Sequence, residues 1–298
     1  MEGLILYETP ELHSPCLVAG FSGWPNAAEA STGVVTYLKT KLGANKFAHI
    51  SPEEFYDFSS LRPLVTIEAG LIKEVEFVDC ELFYWRGESA HDLVLLIGAE
   101  PHLRWHRFGQ LILDMAQQLG VARVYALGGI YDASPHTAEP RVSGLVNEAQ
   151  LLTELVAHGI EPATYIGPVS FHGPLLDMCR ERNIEAISIW GRAPHYVPTY
   201  NPKVIATVVS RLARMLEMDI DISDLREAAQ DLDRRVQIAI SQNPKLEEYV
   251  KILEERYQQV GEQAALPSEG ADEIIRAVED FLRGFKRDGG LDTEDDTL

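Results

Sequence analysis

The stretch Arg123-Val-Tyr-Ala-Leu-Gly-Gly-Ile-Tyr-Asp-Ala-Ser-Pro-His136 decides the fold. It reads as a short apolar strand that stops at Gly128-Gly129 and opens into a polar loop running through Arg141 to Gly144. Two later stretches repeat the design. Ala163-Thr-Tyr-Ile-Gly167 leads into Pro168-Val-Ser-Phe-His172-Gly173-Pro174, and Ala186-Ile-Ser-Ile-Trp-Gly191 leads into Arg192-Ala-Pro-His195-Tyr196. Helical patterns lie between these strands. They are therefore expected to run parallel, with all three loops on one sheet edge.

Upstream, two apolar runs at 4–7 and 16–20 flank Pro10 and Pro15, and the second ends in Gly20-Phe-Ser-Gly-Trp-Pro-Asn26. A helix is expected over 27–42 with Asn26 as its cap. This turn matches neither a dinucleotide fingerprint nor a phosphate loop, so a structural turn is favoured over an anion site. Strands follow at 45–50, 65–69 and 75–85, the last two with a wet side because Glu74, Glu76 and Asp79 interrupt the apolar residues. The continuous run Leu93-Val-Leu-Leu-Ile97 is the pattern of a strand covered on both faces. Helices are expected to Gln118, over 145–158 with Gly159 as C-cap, from Gly173-Pro174 to Arg182, and over 202–218.

The alternation of strands and helices describes an α/β domain over 1–218. Beyond it, apolar residues recur at spacings of three and four: Leu225, Ala229, Leu232 and Val236; then Leu246, Tyr249 and Leu253 after Asn243-Pro244; then Ile274, Val278, Phe281 and Phe285. Residues 219–285 thus read as a helical appendage, with Ser223 capping its first helix, and 286–298 as a disordered acidic tail.

The 298 residues carry 26 lysines and arginines against 46 acids, a formal net charge of -20. Such a field repels phosphate backbones and anionic lipid, so neither nucleic acid nor membrane is an expected partner. Three scattered cysteines, no basic leader and no long apolar run fit the cytoplasm.

In open α/β sheets ligands bind at the carboxyl ends of strands. The candidates there are Trp24, Glu100, His102, Asp132, His136, Arg141, His172, Arg192 and His195. Imidazoles, carboxylates and guanidiniums suit a small anionic ligand, or acid and base work near neutrality. Each has a plainer reading. The histidines lack metal-ligand spacing, so hydrogen bonds to loop backbone are favoured and no metal or cofactor is expected. Arg141 and Arg192 equally suit ion pairs with Glu100 or Glu139, and Trp24, Trp105 and Trp190 suit packing.

Taken together, Gly20-Phe-Ser-Gly-Trp24 with Asn26-Ala27, Gly98-Ala-Glu-Pro101 with Trp105, Gly128-Gly129 with Pro135-His136-Thr137, and Gly191-Arg-Ala-Pro-His195-Tyr196 resemble the successive motifs of the proteasome assembly chaperone family, in the branch named for its second member. The resemblance covers about residues 4 to 218, and the C-terminal helices are similar to those of bacterial members. It implies a three-layer α/β/α sandwich related to nucleoside phosphorylases and peptidyl hydrolases. It also implies a homo-oligomer, with a trimer as the order expected, and a protein client. Relatives that dock on the proteasome ring often end in a hydrophobic residue, a tyrosine and one more residue; this chain ends Asp296-Thr297-Leu298, so that docking mode is not expected. Family members have been labelled ATP-grasp-like, but no phosphate loop or magnesium-binding carboxylate set supports ATP chemistry here. The reading is a chaperone-like binding protein without established catalysis. The alternative is a phosphorylase- or ligase-like enzyme with its site at the carboxyl edge of the sheet.

Overall fold

The computed structural model describes residues 3–87 and 90–259. The chain runs through β1 (Leu4–Leu6), β2 (Cys16–Ser22), α1 (Ala30–Leu42), β3 (Asn45–Ile50), β4 (Leu64–Glu68), β5 (Leu71–Glu76), β6 (Cys80–Trp85), β7 (Leu93–Ala99), α2 (Trp105–Gln118), β8 (Arg123–Asp132), β9 (Val142–Val146), α3 (Leu151–Ala157), β10 (Glu161–Pro162), α4 (His172–Glu181), β11 (Glu185–Pro194), α5 (Pro202–Met215), α6 (Ser223–Ser241) and α7 (Pro244–Gln259). Nine strands make one sheet in the order β1-β3-β6-β7-β2-β8-β11-β9-β10, and β4 and β5 pair only with each other. At the centre β7, β2, β8 and β11 are parallel. Their carboxyl ends share one rim.

Side chains alternate across each strand, and the two apolar faces feed two separate cores. Leu17, Ala19, Val124 and Ala126 pack with Phe108 of α2 and Leu175 of α4. Val18, Leu95 and Leu127 pack with Val35 of α1 and Leu212 of α5 on the opposite side. Each fully buried Leu, Val or Phe contributes about 1.5–3 kcal/mol, enough in sum to commit the chain to three layers. The fold is the expected α/β/α sandwich.

Several local expectations need correction. The glycine pair does not stop β8, which continues to Asp132. Its role is close approach: a Cβ on Gly128 would lie 2.5 Å from the Trp190 ring, and one on Gly129 would strike the Ala27 carbonyl. Gly191 likewise sits inside β11, where a Cβ would meet Val204 and Val208 of α5. Residues 163–167 form no strand. Only Glu161–Pro162 pairs with β9, and Pro162 and Pro168 lack the N–H groups a ladder needs. The strand in that region is β9, antiparallel to β11, in part of the stretch expected to be helical; α3 begins only at Leu151. The 75–85 strand is two, β5 and β6, broken at Phe77-Val78-Asp79.

The caps divide. Asn201 caps α5, its side chain accepting from the Lys203 and Val204 amides. Asn26 precedes a 3-10 turn, Ala27–Glu29, and its Oδ1 accepts from the Thr32 amide 3.0 Å away. Ser223 does not cap α6; its own amide donates to Asp221.

Helix α6 lies on α5, and an apolar cluster of Leu232, Val236, Leu246, Tyr249 and Leu253 closes over Ala133, Tyr196 and Val197. The helix pair therefore covers part of the carboxyl rim. The third helix, with Ile274, Val278, Phe281 and Phe285, and the acidic tail lie outside the described residues. Among the described residues no helix is long and apolar enough to cross a membrane.

Candidate functional site

Period-2 alternation places Asp132 of β8, Trp190 and Arg192 of β11 and Ser143 of β9 on one face of the sheet. On that face α2 and α4 cover the central strands, while the exposed loop 163–169 borders β9 and β10. A cleft of about 1370 Å³ opens there. Five sequence candidates line it: Trp24, Asp132, Arg141, His172 and Arg192.

Arg192 Nη1 lies 3.6 Å from Asp132 Oδ2, so its partner is neither Glu100 nor Glu139. The Arg141 guanidinium stacks 4.3 Å from the ring centroid of Tyr257 on α7, and its carbonyl accepts the Arg192 amide at 3.0 Å. Trp24 is 60% exposed at the mouth. His172 is buried against Trp190, with ring centroids 4.8 Å apart, and its Nδ1 meets Ser188 Oγ at 3.0 Å. Burial pushes its pKa down to about 3, so the ring is neutral. Three buried polar atoms of cleft residues have no partner among the described residues: His172 Nε2, Trp190 Nε1 and Arg192 Nε.

The other four candidates lie elsewhere. Glu100 is half-buried and accepts the Phe171 amide at 2.7 Å; burial raises its pKa. It anchors the end of the 163–171 loop. His102 is exposed, and its Nδ1 accepts the Asp57 amide at 3.0 Å. His136 and His195 are buried beneath the C-terminal helices, so the histidines do not gather on one open surface.

The Tyr196 hydroxyl accepts the His136 amide at 2.6 Å and lies 2.8 Å from His136 Nδ1. The His136 carbonyl accepts Lys203 Nζ at 2.6 Å, and that ammonium also pairs with Asp233 of α6 at 2.9 Å. His195 Nδ1 lies 3.0 Å from the Asp132 carbonyl, which can only accept, so Nδ1 carries the proton. Nε2 then accepts from the Tyr249 hydroxyl of α7 at 2.8 Å. Burial lowers the pKa of both histidines. Both are satisfied as neutral rings.

Sequence reasoning missed Trp190 and Tyr257 in the cleft, reading the first as packing. Trp190 was findable, because it stands two residues before Arg192 and must share its face. Tyr257 was not, since nothing local ties α7 to β9. The thiols of Cys16, Cys80 and Cys179 are buried and their pKa values raised, which suits packing residues and not nucleophiles.

No curated protein sequence matches the chain. Solved structures do. A proteasome-assembly chaperone homologue of Mycobacterium tuberculosis is 29% identical, with 79% of this chain and 99% of that one covered and a TM-score of 0.73. A PAC2 family protein from Streptomyces avermitilis is 32% identical over 79% of this chain and 99% of its own, with a TM-score of 0.70. The Pyrococcus furiosus protein PbaB, an archaeal proteasome activator, shares the fold at 22% identity, covering 78% of this chain and 96% of that one, with a TM-score of 0.64. The PAC2 family model matches residues 20–240, which takes in every motif quoted above, and the chain belongs to the PAC2 family.

Proposed function

We propose that this protein is a chaperone-like binding protein that acts as a cytoplasmic homo-oligomer, a trimer, and engages a protein client. The β4–β5 hairpin carries the reading. Every residue of both strands is exposed, and Ile72 is 68% exposed. Cross-strand pairing joins Val65 to Val75 and Ile67 to Ile72, and partners in a pair share a face. A bulge between Thr66 and Ile67 keeps Ile72 on that side. The other face pairs Leu64 with Glu76, Thr66 with Glu74 and Glu68 with Leu71. The hairpin is thus apolar on one side, mixed leucine and glutamate on the other, and tied at its base by Phe77 against Phe58.

An isolated two-stranded hairpin is marginal in water, so its apolar face calls for a covering protein surface. A second copy of the chain is the occupant we assign. We take residues 219–285 as a helical appendage of this unit; of these, α6 and α7 are described and pack over Ala133, Tyr196 and Val197 at the carboxyl rim. The likeness to a proteasome-assembly chaperone homologue of M. tuberculosis makes a proteasome subunit the first client to test.

Light scattering on the full chain tests the assembly. The native protein should have the mass of a multimer, and Val65→Glu with Ile72→Glu should reduce it to a monomer with an unchanged circular dichroism spectrum. A monomeric native chain, or a double variant that keeps the multimer mass, would refute the assignment. The enzyme alternative is less favoured, because His136 and His195 of the proposed loop cluster are buried and bonded beneath α6 and α7.

A further inference from the structure

We infer that the cleft between β8, β11, β9 and the 163–171 loop binds a small organic acid, with its oxyanion head held by Arg192, Trp190 and His172 and an apolar body against the outer wall. The inference is independent of the hairpin and of any protein client.

Buried polar groups in folded proteins are almost always hydrogen-bonded. Here three unpartnered polar atoms, His172 Nε2, Trp190 Nε1 and Arg192 Nε, belong to side chains that line one cavity. His172 is 1% exposed and Trp190 9%. The indole N–H and the guanidinium Nε–H can only donate. His172 becomes a third donor when the Ser188 hydroxyl donates its hydrogen bond to Nδ1, which places the single ring proton of the neutral imidazole on Nε2. The missing partner is therefore a group rich in lone pairs. A carboxylate or phosphate supplies several lone pairs from one centre and gains charge-assisted bonds from an arginine.

The electrostatics agree. Asp132 engages only one terminal nitrogen of Arg192, at 3.6 Å, which leaves the Nε edge to a second acceptor. Arg141 stacks on Tyr257 and forms no ion pair with a described residue, so it brings a further positive charge to the cleft wall of a strongly acidic protein. Glu161 also lines the cleft, beside β10, and the rest of the lining is largely apolar, with Ile130, Leu145, Val156, Tyr165 and Val169. Small-molecule sites share this composition: an apolar cavity with a few convergent polar groups.

The test titrates the full chain with octanoate and with octyl phosphate, followed by calorimetry and tryptophan fluorescence, with 1-octanol and inorganic phosphate as controls. One or both acids should bind saturably, and their ranking distinguishes carboxylate from phosphate. Octanol and inorganic phosphate should bind at least about tenfold more weakly, because each lacks one half of the recognition. Arg192→Gln and, separately, Arg141→Gln should weaken the preferred acid by about tenfold or more. The Val65→Glu and Ile72→Glu protein should bind it normally, which separates this result from the assembly test. No saturable response to either acid at millimolar concentration, equal binding of octanol, or full affinity retained in both arginine variants would overturn the inference.

Discussion

Strand β11 and the turn after it deliver polar residues to two regions, and the two have opposite fates. His195 and Tyr196 enter a closed network under α6 and α7, where both nitrogens of His195 are bonded and the Tyr196 hydroxyl serves His136 twice. Trp190 and Arg192 enter the cleft, where each keeps a buried nitrogen without a partner. The same residue chemistry therefore serves two ends. A satisfied buried network holds elements together, whereas unsatisfied donors beside open space are what a ligand needs.

The contrast is sharpest in stability. Tyr196→Ala removes a fully buried ring and strands the His136 amide, so it should cost about 3–5 kcal/mol in urea denaturation. A loss under about 1 kcal/mol would mean that the network under α6–α7 is not a structural clasp.

The second measurement uses pH. His172 titrates near its ordinary value in the unfolded chain and near 3 in the folded one, so between these limits the unfolded state binds the extra proton. Its contribution to stability is full above about pH 6.5 and is lost on acidification. Relative to His172→Gln, the native protein should lose roughly 1–2 kcal/mol between pH 6.5 and 5, as the unfolded chain takes up the proton that the folded ring refuses. Parallel curves for the two proteins would mean that His172 is charged or solvated in the fold.

The smallest effect belongs to the cleft wall. Arg141→Gln loses only a stacking contact with Tyr257, so denaturation should shift by less than about 1 kcal/mol. A larger loss would move Arg141 into the structural class and weaken the distinction between the two regions.

Much of the fold was legible from pattern. Leu93-Val-Leu-Leu-Ile97 announced a strand covered on both sides, and the helix expected over 202–218 is α5, Pro202–Met215. The errors were local and share a cause. Gly128, Gly129 and Gly191 were read as strand ends, yet they are glycines because Trp190, the α1 approach and α5 press against the strands from outside. Residues 163–167 have strand-like composition, yet pairing with β9 ends at Pro162 and the Ala163 amide, and the chain then runs exposed to Val169. At the candidate site, five of nine residues came together because strand alternation and parallel order are readable. His136 and His195 were drawn away by helices that no local signal connects to them.

By itself the sequence determined the layered core, since apolar periodicity is a property of neighbouring residues, and it determined the family through motifs spread in order along the chain. Only the tertiary structure decided which polar side chains of the carboxyl rim are satisfied. The hydroxyl that completes His195 lies 54 positions away and the one beside His136 lies 60, while Trp190 Nε1 and Arg192 Nε find no partner among the described residues. Hydrogen bonding acts over about 3 Å and is indifferent to sequence separation, so the fate of each group was fixed when distant segments packed.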